Sequence, residues 1–205
     1  MGRSSLAAAT GTAPAPVSKR TRPTADIDNG PVDGVVIRTE QAGDEDAIRA
    51  VNDAAFEGPV EGRIVDDLRG TDRWIEGGSL VAQADDGTIV GHLLLSEGEL
   101  VAANGPIHTI WVIGPVAVEP ARQRQGIGAA LMRAAIALAT ERRQPLLILL
   151  GHAGYYPRFG FEPARALGID PPRPWPDPNW MALRLPDWDP SLRGIARFPP
   201  AFPEA

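Results

Sequence analysis

The sequence contains no cysteine among its 205 residues. This absence excludes disulfide bonds, catalytic thiols and the cysteine-ligated zinc sites of structural domains. It is compatible with the reducing environment of the cytoplasm, which is where we expect the protein to work.

Histidine, long apolar runs and clustered positive charge are also scarce. The three histidines, His92, His108 and His152, show no HExxH pattern or other short ligand spacing, so we expect no metal. No apolar run approaches the roughly 18 residues that a membrane-spanning helix needs, so we expect no membrane partner. The formal charge is −6 and no group of lysines and arginines accompanies a motif, which argues against nucleic acid as a partner. An acidic surface favours a cationic substrate, although net charge is weak evidence.

The composition divides the chain into a tail and one domain. Residues 1–33 are rich in Ala, Thr, Pro, Ser and Gly and lack periodic hydrophobic residues, which predicts a disordered N-terminal tail. The apolar run in that tail is too short for a signal peptide. Hydrophobic residues make up 43% of the chain and can furnish a core, so residues 34–205 are expected to form one domain with a Pro- and Trp-rich C-terminal segment.

Hydrophobic periodicity predicts strands mixed with helices in this domain. The expected strands are residues 35–38, 79–84, 88–95, 107–118, 146–150, 162–169 and 180–185, and the expected helices are residues 44–55, 60–68 and 128–142. Residues 96–105 are expected to connect the third strand to the fourth. Gly114-Pro115 interrupts the fourth strand, which predicts a break in the hydrogen-bond ladder and a bend.

The turn after the fourth strand has the features of an anion-binding site. Pro120 ends the strand, and two glycines, Gly126 and Gly128, open the following helix. The first amides of a helix lack intrahelical partners and lie at the positive end of the helix dipole. Glycine lets a bulky ligand approach the backbone, and Arg122 and Arg124 add cationic donors. This arrangement favours a phosphate or diphosphate.

Two common phosphate-binding motifs do not fit this turn. A P-loop needs GxxxxGK followed by Ser or Thr, but the chain continues Ala129-Ala130-Leu131 with no lysine and no hydroxyl for magnesium. A dinucleotide fingerprint needs three glycines and an acidic residue about 20 positions on, where this chain has an apolar run. Both interpretations therefore fail.

Two motifs about thirty residues apart carry a family resemblance. The run from Gln123 to Gly128 matches the Q/R-x-x-G-x-G/A signature of the GCN5-related N-acetyltransferases, the GNAT superfamily, although QRQGIG alone fits any helix that opens with glycine. The run from Tyr155 to Phe161 is similar to that family's FYxxxGF-type segment. Together with the proline-rich connector and the closing RFPPAF, the chain resembles the YhbS-like branch over about residues 35 to 202.

The resemblance implies a fold, a cosubstrate and its contacts. The fold is α/β (α+β), a mixed central sheet that splays between its two central strands and is flanked by helices. Acetyl-CoA binds in the splay, where its pantetheine amides pair with strand backbone and its diphosphate meets the turn. The strand positions implied are Val116, Ala117 and Val118, which are equally explained as core strand, and the turn positions are Arg124, Gln125, Gly126, Ile127, Gly128 and Ala129.

The same resemblance assigns a catalytic acid. Tyr156 aligns with the family's tyrosine that donates to the leaving thiolate, and Tyr155 is the fallback. A buried aromatic residue with a satisfied hydroxyl is the structural alternative. Glu97, Glu99 and His108 are candidates for the base that takes the proton of the amine, and a water chain serves as well, so no base is assigned.

The function implied is N-acetyl transfer by direct attack of an amine on acetyl-CoA. The alternative is a CoA-binding module without transferase activity, and a longer acyl donor also stays open. The acceptor is a small-molecule or protein amine of unknown identity, and a homodimer stays open. Trp175, Trp180 and Trp188 either line an acceptor pocket or cap a small core.

Overall fold

The computed structural model describes residues 32–103 and 105–202. The disordered tail predicted for residues 1–33 therefore lies outside the described residues, except for its last two positions. The strands of the described part are β1 (Val35–Thr39), β2 (Trp74–Ala84), β3 (Ile89–Val101), β4 (Ile107–Val118), β5 (Leu146–Leu150), β6 (Glu162–Pro163), β7 (Ile169–Asp170), β8 (Trp180–Arg184) and β9 (Gly194–Arg197). Its helices are α1 (Glu45–Phe56), α2 (Val60–Leu68) and α3 (Ile127–Glu141).

The described strands form one mixed sheet in the order β1-β2-β3-β4-β5-β8-β6. Neighbours along this path are antiparallel except β4 and β5, which are parallel and joined through α3. β9 pairs with β3 at Glu99 to Val101, beyond the end of the β2 ladder, and β7 pairs with β9. The last strand of the chain is therefore added to the central part of the sheet.

Helices cover both faces of this sheet. α3 packs on one face through buried residues that recur at helical spacing, including Leu131 and Ala135. α1 and α2 pack on the other face through Ile48, Val51 and Val65. A further cluster around Trp180, which is completely buried, fills the space beside β5, β8 and β9.

A buried polar chain lies under α1 and links it to β2 and β3. His92 is completely buried and its Nδ1 accepts a hydrogen bond from the amide of Asn52, 3.0 Å away. Its Nε2 lies 3.0 Å from the hydroxyl of Ser79, which donates to Glu40, and Glu40 also accepts from Arg69. Burial, with a smaller contribution from the charge of Arg69, lowers the pKa of His92 to about 3. The neutral imidazole therefore satisfies this chain of hydrogen bonds.

Most of the predicted elements are present, and two predictions are wrong. Residues 96–101 continue β3 instead of forming a connection, because Gly98 and Leu100 are buried in the sheet and pair with β4, and Leu100 also pairs with β9. Residues 162–169 form two-residue strands separated by a 3-10 turn instead of one strand. Pro163 has no amide to donate and Gly168 has a φ of +77°, so an extended ladder cannot continue through them.

Candidate active site

The two parallel strands at the centre of the sheet separate after a short contact. β4 and β5 pair at Trp111 with Leu147 and at Val112 with Ile148, and no further pair between them exists in the described residues. The β3–β4 ladder shifts its register between Leu93 and Leu95, opposite the Gly114-Pro115 interruption. The predicted break and splay are therefore present, and β4 from residue 113 onward has no partner strand on its β5 side.

Backbone alternation shows which groups of β4 face this wedge. The amide of Glu119 donates to the carbonyl of Val90 on β3 at 3.0 Å. Because the backbone groups of an antiparallel strand alternate in direction, Ala117 also faces β3, whereas Val116 and Val118 face β5. The polar groups that can pair with a ligand in the wedge are therefore those of Val116 and Val118.

The turn beyond β4 presents unpaired amides to the same wedge. The first helical amide of α3 with a backbone acceptor is that of Ala130, which donates to the carbonyl of Gly126 at 2.9 Å. Within the described chain, no backbone carbonyl accepts from the amides of residues 125–129. These are the orphan donors of a helix N-terminus, reinforced by the helix dipole.

Local bonds fix the shape of this turn. The side-chain amide of Gln123 donates to the carbonyl of Val118, and that of Gln125 donates to the carbonyl of Ala121, each at 3.2 Å. Arg124 and Gly126 adopt the left-handed conformation, with φ of +61° and +89°. The turn is therefore folded back on the end of β4, and the guanidinium of Arg124 is exposed beside the orphan amides.

The wedge opens into a cleft of about 1680 Å³, large enough for a cofactor and a second small molecule. Of the residues predicted to bind a cosubstrate, those that line the cleft are Val116, Val118, Arg124, Gly126, Gly128 and Ala129. Ala117 and Ile127 are buried in the core, and Gln125 is exposed on the turn. Gln125 and Ile127 can therefore contribute only their orphan backbone amides to a ligand in the cleft, whereas the backbone of Ala117 faces β3 and contributes none.

The two tyrosines are neighbours but contact different parts of this region. A Cβ placed on Gly128 would lie 3.1 Å from the hydroxyl of Tyr155, so that hydroxyl contacts the first turn of α3. A Cβ placed on Gly151 would lie 2.2 Å from Cε2 of Tyr156, so that ring lies directly over the end of β5. The two rings meet edge to face at 5.1 Å, and Tyr156 also packs against Phe161. Both tyrosines line the cleft.

The environment of Tyr156 keeps its phenol protonated. Burial, followed by the neighbouring Tyr155, raises the pKa of Tyr156 to about 12. Burial also raises the pKa of Tyr155, and the nearby guanidiniums of Arg158 and Arg133 oppose that shift. At neutral pH Tyr156 is therefore a hydrogen-bond donor and not a base.

The carboxylates and histidine that were candidates for the base lie away from the cleft lining. Glu97 and Glu99 lie on β3 and His108 on β4, before the strands separate, and Glu99 accepts a 2.7 Å bond from Arg73. Among the described residues that line the cleft, the groups able to take a proton are Glu61 on α2 and His152 after β5.

The C-terminal segment closes the side of the cleft away from the turn. Trp175, Phe198 and Phe202 are half-buried, line the cleft and contact one another in series, with ring centroids 5.5 Å and 5.1 Å apart. Trp180 is completely buried beneath them and Trp188 packs against the same cluster, so these two are core residues. Sequence patterns singled out only Trp175 of this aromatic row as a pocket candidate, because the others reach the cleft through the addition of β9 to the sheet.

The described residues contain neither a cluster of metal-binding side chains nor a helix that could span a membrane. No group of three or more side chains of the metal-binding types lies close enough to hold an ion. No helix there combines the length and the apolar character that crossing a bilayer requires.

Comparison with known proteins gives a consistent result. Residues 36–164 match the model of the acetyltransferase (GNAT) domain family. The chain is 33% identical over 162 residues to YjhQ of Escherichia coli K12, described as an uncharacterized N-acetyltransferase, and the match covers 75% of this chain and 86% of YjhQ.

Solved structures agree with the sequence matches. The crystal structure of the GNAT family protein YhbS from Escherichia coli in complex with CoA superimposes with a TM-score of 0.75 at 26% identity, covering 84% of this chain and 94% of YhbS. A GNAT family acetyltransferase from Brucella melitensis in complex with acetyl-CoA gives a TM-score of 0.66 at 32% identity, covering 82% and 98%. The predicted fold class, a mixed sheet that splays at its centre, is confirmed by these similarities.

Proposed function

The chain belongs to the GNAT acetyltransferase family, in its YhbS-like branch, and we propose that it moves an acetyl group from acetyl-CoA to an amine acceptor. The observation that carries the proposal is the continuity of one cleft from the orphan amides of residues 125–129 to the ring of Tyr156. That cleft offers a place for the diphosphate at one end and for the thioester at the other. The CoA and acetyl-CoA complexes of the two structural relatives support this choice of cosubstrate.

Acetyl-CoA would lie along β4 in the wedge. The orphan amides at the start of α3 and the guanidinium of Arg124 hold the diphosphate, and glycine at 126 and 128 lets it approach the backbone. The pantetheine amides pair with the outward-facing groups of Val116 and Val118, as an added strand would. In this arrangement the thioester would lie near Gly114 and Gly151, where β4 and β5 separate.

The reaction needs no covalent enzyme intermediate. The lone pair of the neutral amine attacks the thioester carbonyl, the carbon–sulfur bond breaks, and the products are an amide and CoA thiol. The acceptor ammonium first loses one proton to water or to a carboxylate of the cleft, since such an amine has a pKa of about 10 and is mostly charged at neutral pH. After the attack the nitrogen loses a second proton to solvent as the amide forms, and this proton balances the one that the departing thiolate takes up. Holding amine and thioester together in one cleft supplies much of the rate enhancement.

Tyr156 is the hydrogen-bond donor to the departing sulfur. Its phenol, held protonated by burial, donates a hydrogen bond to the developing thiolate and passes its proton to it, and solvent then replaces that proton. The position of its ring over Gly151 supports this role, because the thioester is placed at the same point of the wedge. Tyr155 is the less favourable donor, since its hydroxyl lies at the first turn of α3, where the diphosphate is expected.

The alternative is a CoA-binding module that transfers nothing. Thiol release from acetyl-CoA separates the two, and the absence of cysteine from the chain means that a thiol reagent reports released CoA alone. A transferase releases thiol in proportion to the amine supplied, and mass spectrometry finds the acceptor heavier by one acetyl group. If acetyl-CoA binds tightly but no amine in a broad panel causes release of CoA thiol, the CoA-binding module is favoured. The cytoplasmic location, the length of the acyl chain and a homodimer remain predictions.

A further inference from the structure

The side of the cleft away from the orphan amides lies on the face of the sheet that α1 and α2 cover. Ile113 packs with the buried residues of α3, so Gly114, the next residue of β4, is directed to the opposite face. A Cβ on Gly114 would lie 3.6 Å from the ring of Phe202, and Phe202 packs against the cluster formed by α1 and α2. A second substrate that enters from this face therefore meets Phe202 at the point where β4 and β5 separate.

Both walls of this side are apolar. Phe198 and Phe202 of the C-terminal segment contact each other with ring centroids 5.1 Å apart, and Trp175 completes this aromatic row at 5.5 Å from Phe198. On the helical wall, Phe56 at the end of α1 is 43% exposed, and Ile64 of α2 also lines the cleft. Covering apolar surface that faces water is favourable, and an aromatic ring has a large flat surface to cover. The two walls therefore favour an acceptor with a flat apolar body.

A single carboxylate faces this apolar space. Glu61 is the one carboxylate among the described residues that line the cleft, and it is half-buried. It lies three residues before Ile64, so the two share a face of α2, and α2 packs against β4 beside the wedge. Within the described part of the chain, no hydrogen bond or ion pair engages Glu61. A half-buried carboxylate without a partner favours one cation, and an acceptor amine supplies it as an ammonium.

The same arrangement limits the acceptor to one charged group. A further ammonium, as in a polyamine, would leave water for apolar walls, and the described lining of the cleft has no second carboxylate to receive it. The carboxylate of an amino acid would be repelled by Glu61. The expectation of a cationic substrate, drawn from net charge, is thereby narrowed to a substrate with one positive charge.

We propose that the acceptor is a primary monoamine with a flat apolar body, such as an arylalkylamine, whose ammonium is its only charged group. The inference rests on the proposed function, because it concerns the second substrate of the same cleft. The apolar body packs between Phe56 and the aromatic row, and the ammonium pairs with Glu61. The ammonium loses one proton to Glu61 or to water, and the neutral nitrogen attacks the thioester. As the carbon–sulfur bond breaks, the nitrogen loses a second proton to solvent and Tyr156 protonates the thiolate.

The test compares matched amines as acceptors for the full chain. Thiol release from acetyl-CoA is measured with phenethylamine, with ethylamine, which lacks the ring, with phenylalanine, which adds a carboxylate, and with spermidine, which adds ammonium groups. We expect kcat/KM for phenethylamine to exceed that for each of the others by about tenfold or more, from one buried ring or one avoided unpaired charge. Equal values for phenethylamine and ethylamine, or a preference for phenylalanine or spermidine, overturn the proposal.

A carboxylate variant locates the ammonium site. Glu61→Gln is expected to raise KM for phenethylamine by about tenfold or more, because a charged hydrogen-bonded pair is lost. Inhibition by phenethyl alcohol, which keeps the ring and lacks the charge, should stay as strong as in the parent. Glu141→Gln is the matched control, since Glu141 is exposed at the end of α3 and outside the cleft lining. An unchanged KM, or an equal loss of inhibition by the alcohol, overturns the assignment of Glu61.

An aromatic variant locates the apolar body. Phe56→Ala removes part of the helical wall, so the preference for phenethylamine over ethylamine should fall by about threefold or more. Val36→Ala is the control, because Val36 is 62% exposed on β1 and lies outside the cleft lining. Thermal melts verify that each variant is folded. The same preference in Phe56→Ala as in the parent overturns the placement of the ring between the two walls.

Calorimetry with acetyl-CoA separates the failure of this inference from the failure of the proposed function. If acetyl-CoA binds but phenethylamine releases no thiol above the water control, the acceptor class is wrong and the donor site stands. If acetyl-CoA does not bind, the proposed function fails and this inference fails with it.

Discussion

Gly151→Ala tests whether the position of Tyr156 controls the chemistry. The new methyl carbon would lie 2.2 Å, 2.9 Å and 3.0 Å from three carbons of the Tyr156 ring. Carbon atoms in contact lie about 3.5 to 4.0 Å apart, so the ring must retreat by more than about 1 Å. Tyr155 and Phe161 pack against that ring, so the displacement cannot be absorbed by a simple rotation.

The displacement predicts a loss of kcat. A misplacement of about 1 Å in a catalytic site costs on the order of 10²-fold in rate, so kcat of Gly151→Ala should fall by about that factor. Overpacking also costs about 1 to 3 kcal/mol of stability, which thermal unfolding should report. The control is Gly58→Ala, because a Cβ at Gly58 meets nothing within 4 Å and this residue lies outside the cleft lining.

A double-mutant cycle decides whether the loss acts through the tyrosine. Thiol release is measured for Gly151→Ala, for Tyr156→Phe and for the variant with both changes, each with the best amine of the acceptor panel. If the alanine acts by moving the phenol, the double variant should be no slower than the slower single variant. Full kcat in Gly151→Ala refutes the reasoning, and losses that multiply show that Gly151 acts independently of Tyr156.

Three further predictions follow from the structure. The pKa of His92 is about 3 in the folded protein and about 6.5 when unfolded, so protonation of this residue favours unfolding. Its contribution to the free energy of unfolding should therefore be complete above pH 6.5 and fall by up to about 1.4 kcal/mol per pH unit toward pH 3. Denaturant titrations should show that the free energy of unfolding of His92→Gln depends less on pH than that of the parent over this range. Parallel pH curves for the two proteins would contradict this prediction. A Cβ at Gly194 would lie 2.2 Å from the carbonyl oxygen of Val101, so Gly194→Ala should detach β9 from β3. KM for the acceptor should then rise, while the affinity for acetyl-CoA measured by calorimetry should change little. An unchanged KM would contradict this prediction. Because the pKa of Tyr156 is raised to about 12, kcat of the parent should not fall through ionisation of Tyr156 below about pH 11. A fall in kcat near about pH 8 that Tyr156→Phe abolishes would contradict the raised pKa.

The donor side of the cleft was readable from sequence because its signals are local. Gly126 and Gly128 mark a helix entrance within three residues, and Pro115 marks the break in β4 by its own chemistry. Each of these effects acts on the backbone next to the residue that causes it. The predicted splay therefore agrees with the structure.

The acceptor side was largely hidden because its residues meet only in the tertiary structure. Phe198 and Phe202 lie more than eighty residues after Gly114 in the chain, and they reach it because β9 pairs with β3 at Glu99. The extension of β3 that creates this pairing contains Gly98 and two glutamates, which resemble a connection by composition. No local pattern indicates that this edge receives the last strand.

Isothermal titration of the full chain with acetyl-CoA and with acetyl-pantetheine at neutral pH tests the central claim most directly. The two ligands share the thioester and the pantetheine amides, and only acetyl-CoA has the diphosphate that the orphan amides of residues 125–129 are proposed to hold. The account predicts one acetyl-CoA bound per chain and an affinity for acetyl-pantetheine lower by about tenfold or more. No heat with acetyl-CoA, or equal affinity for both ligands, would contradict it.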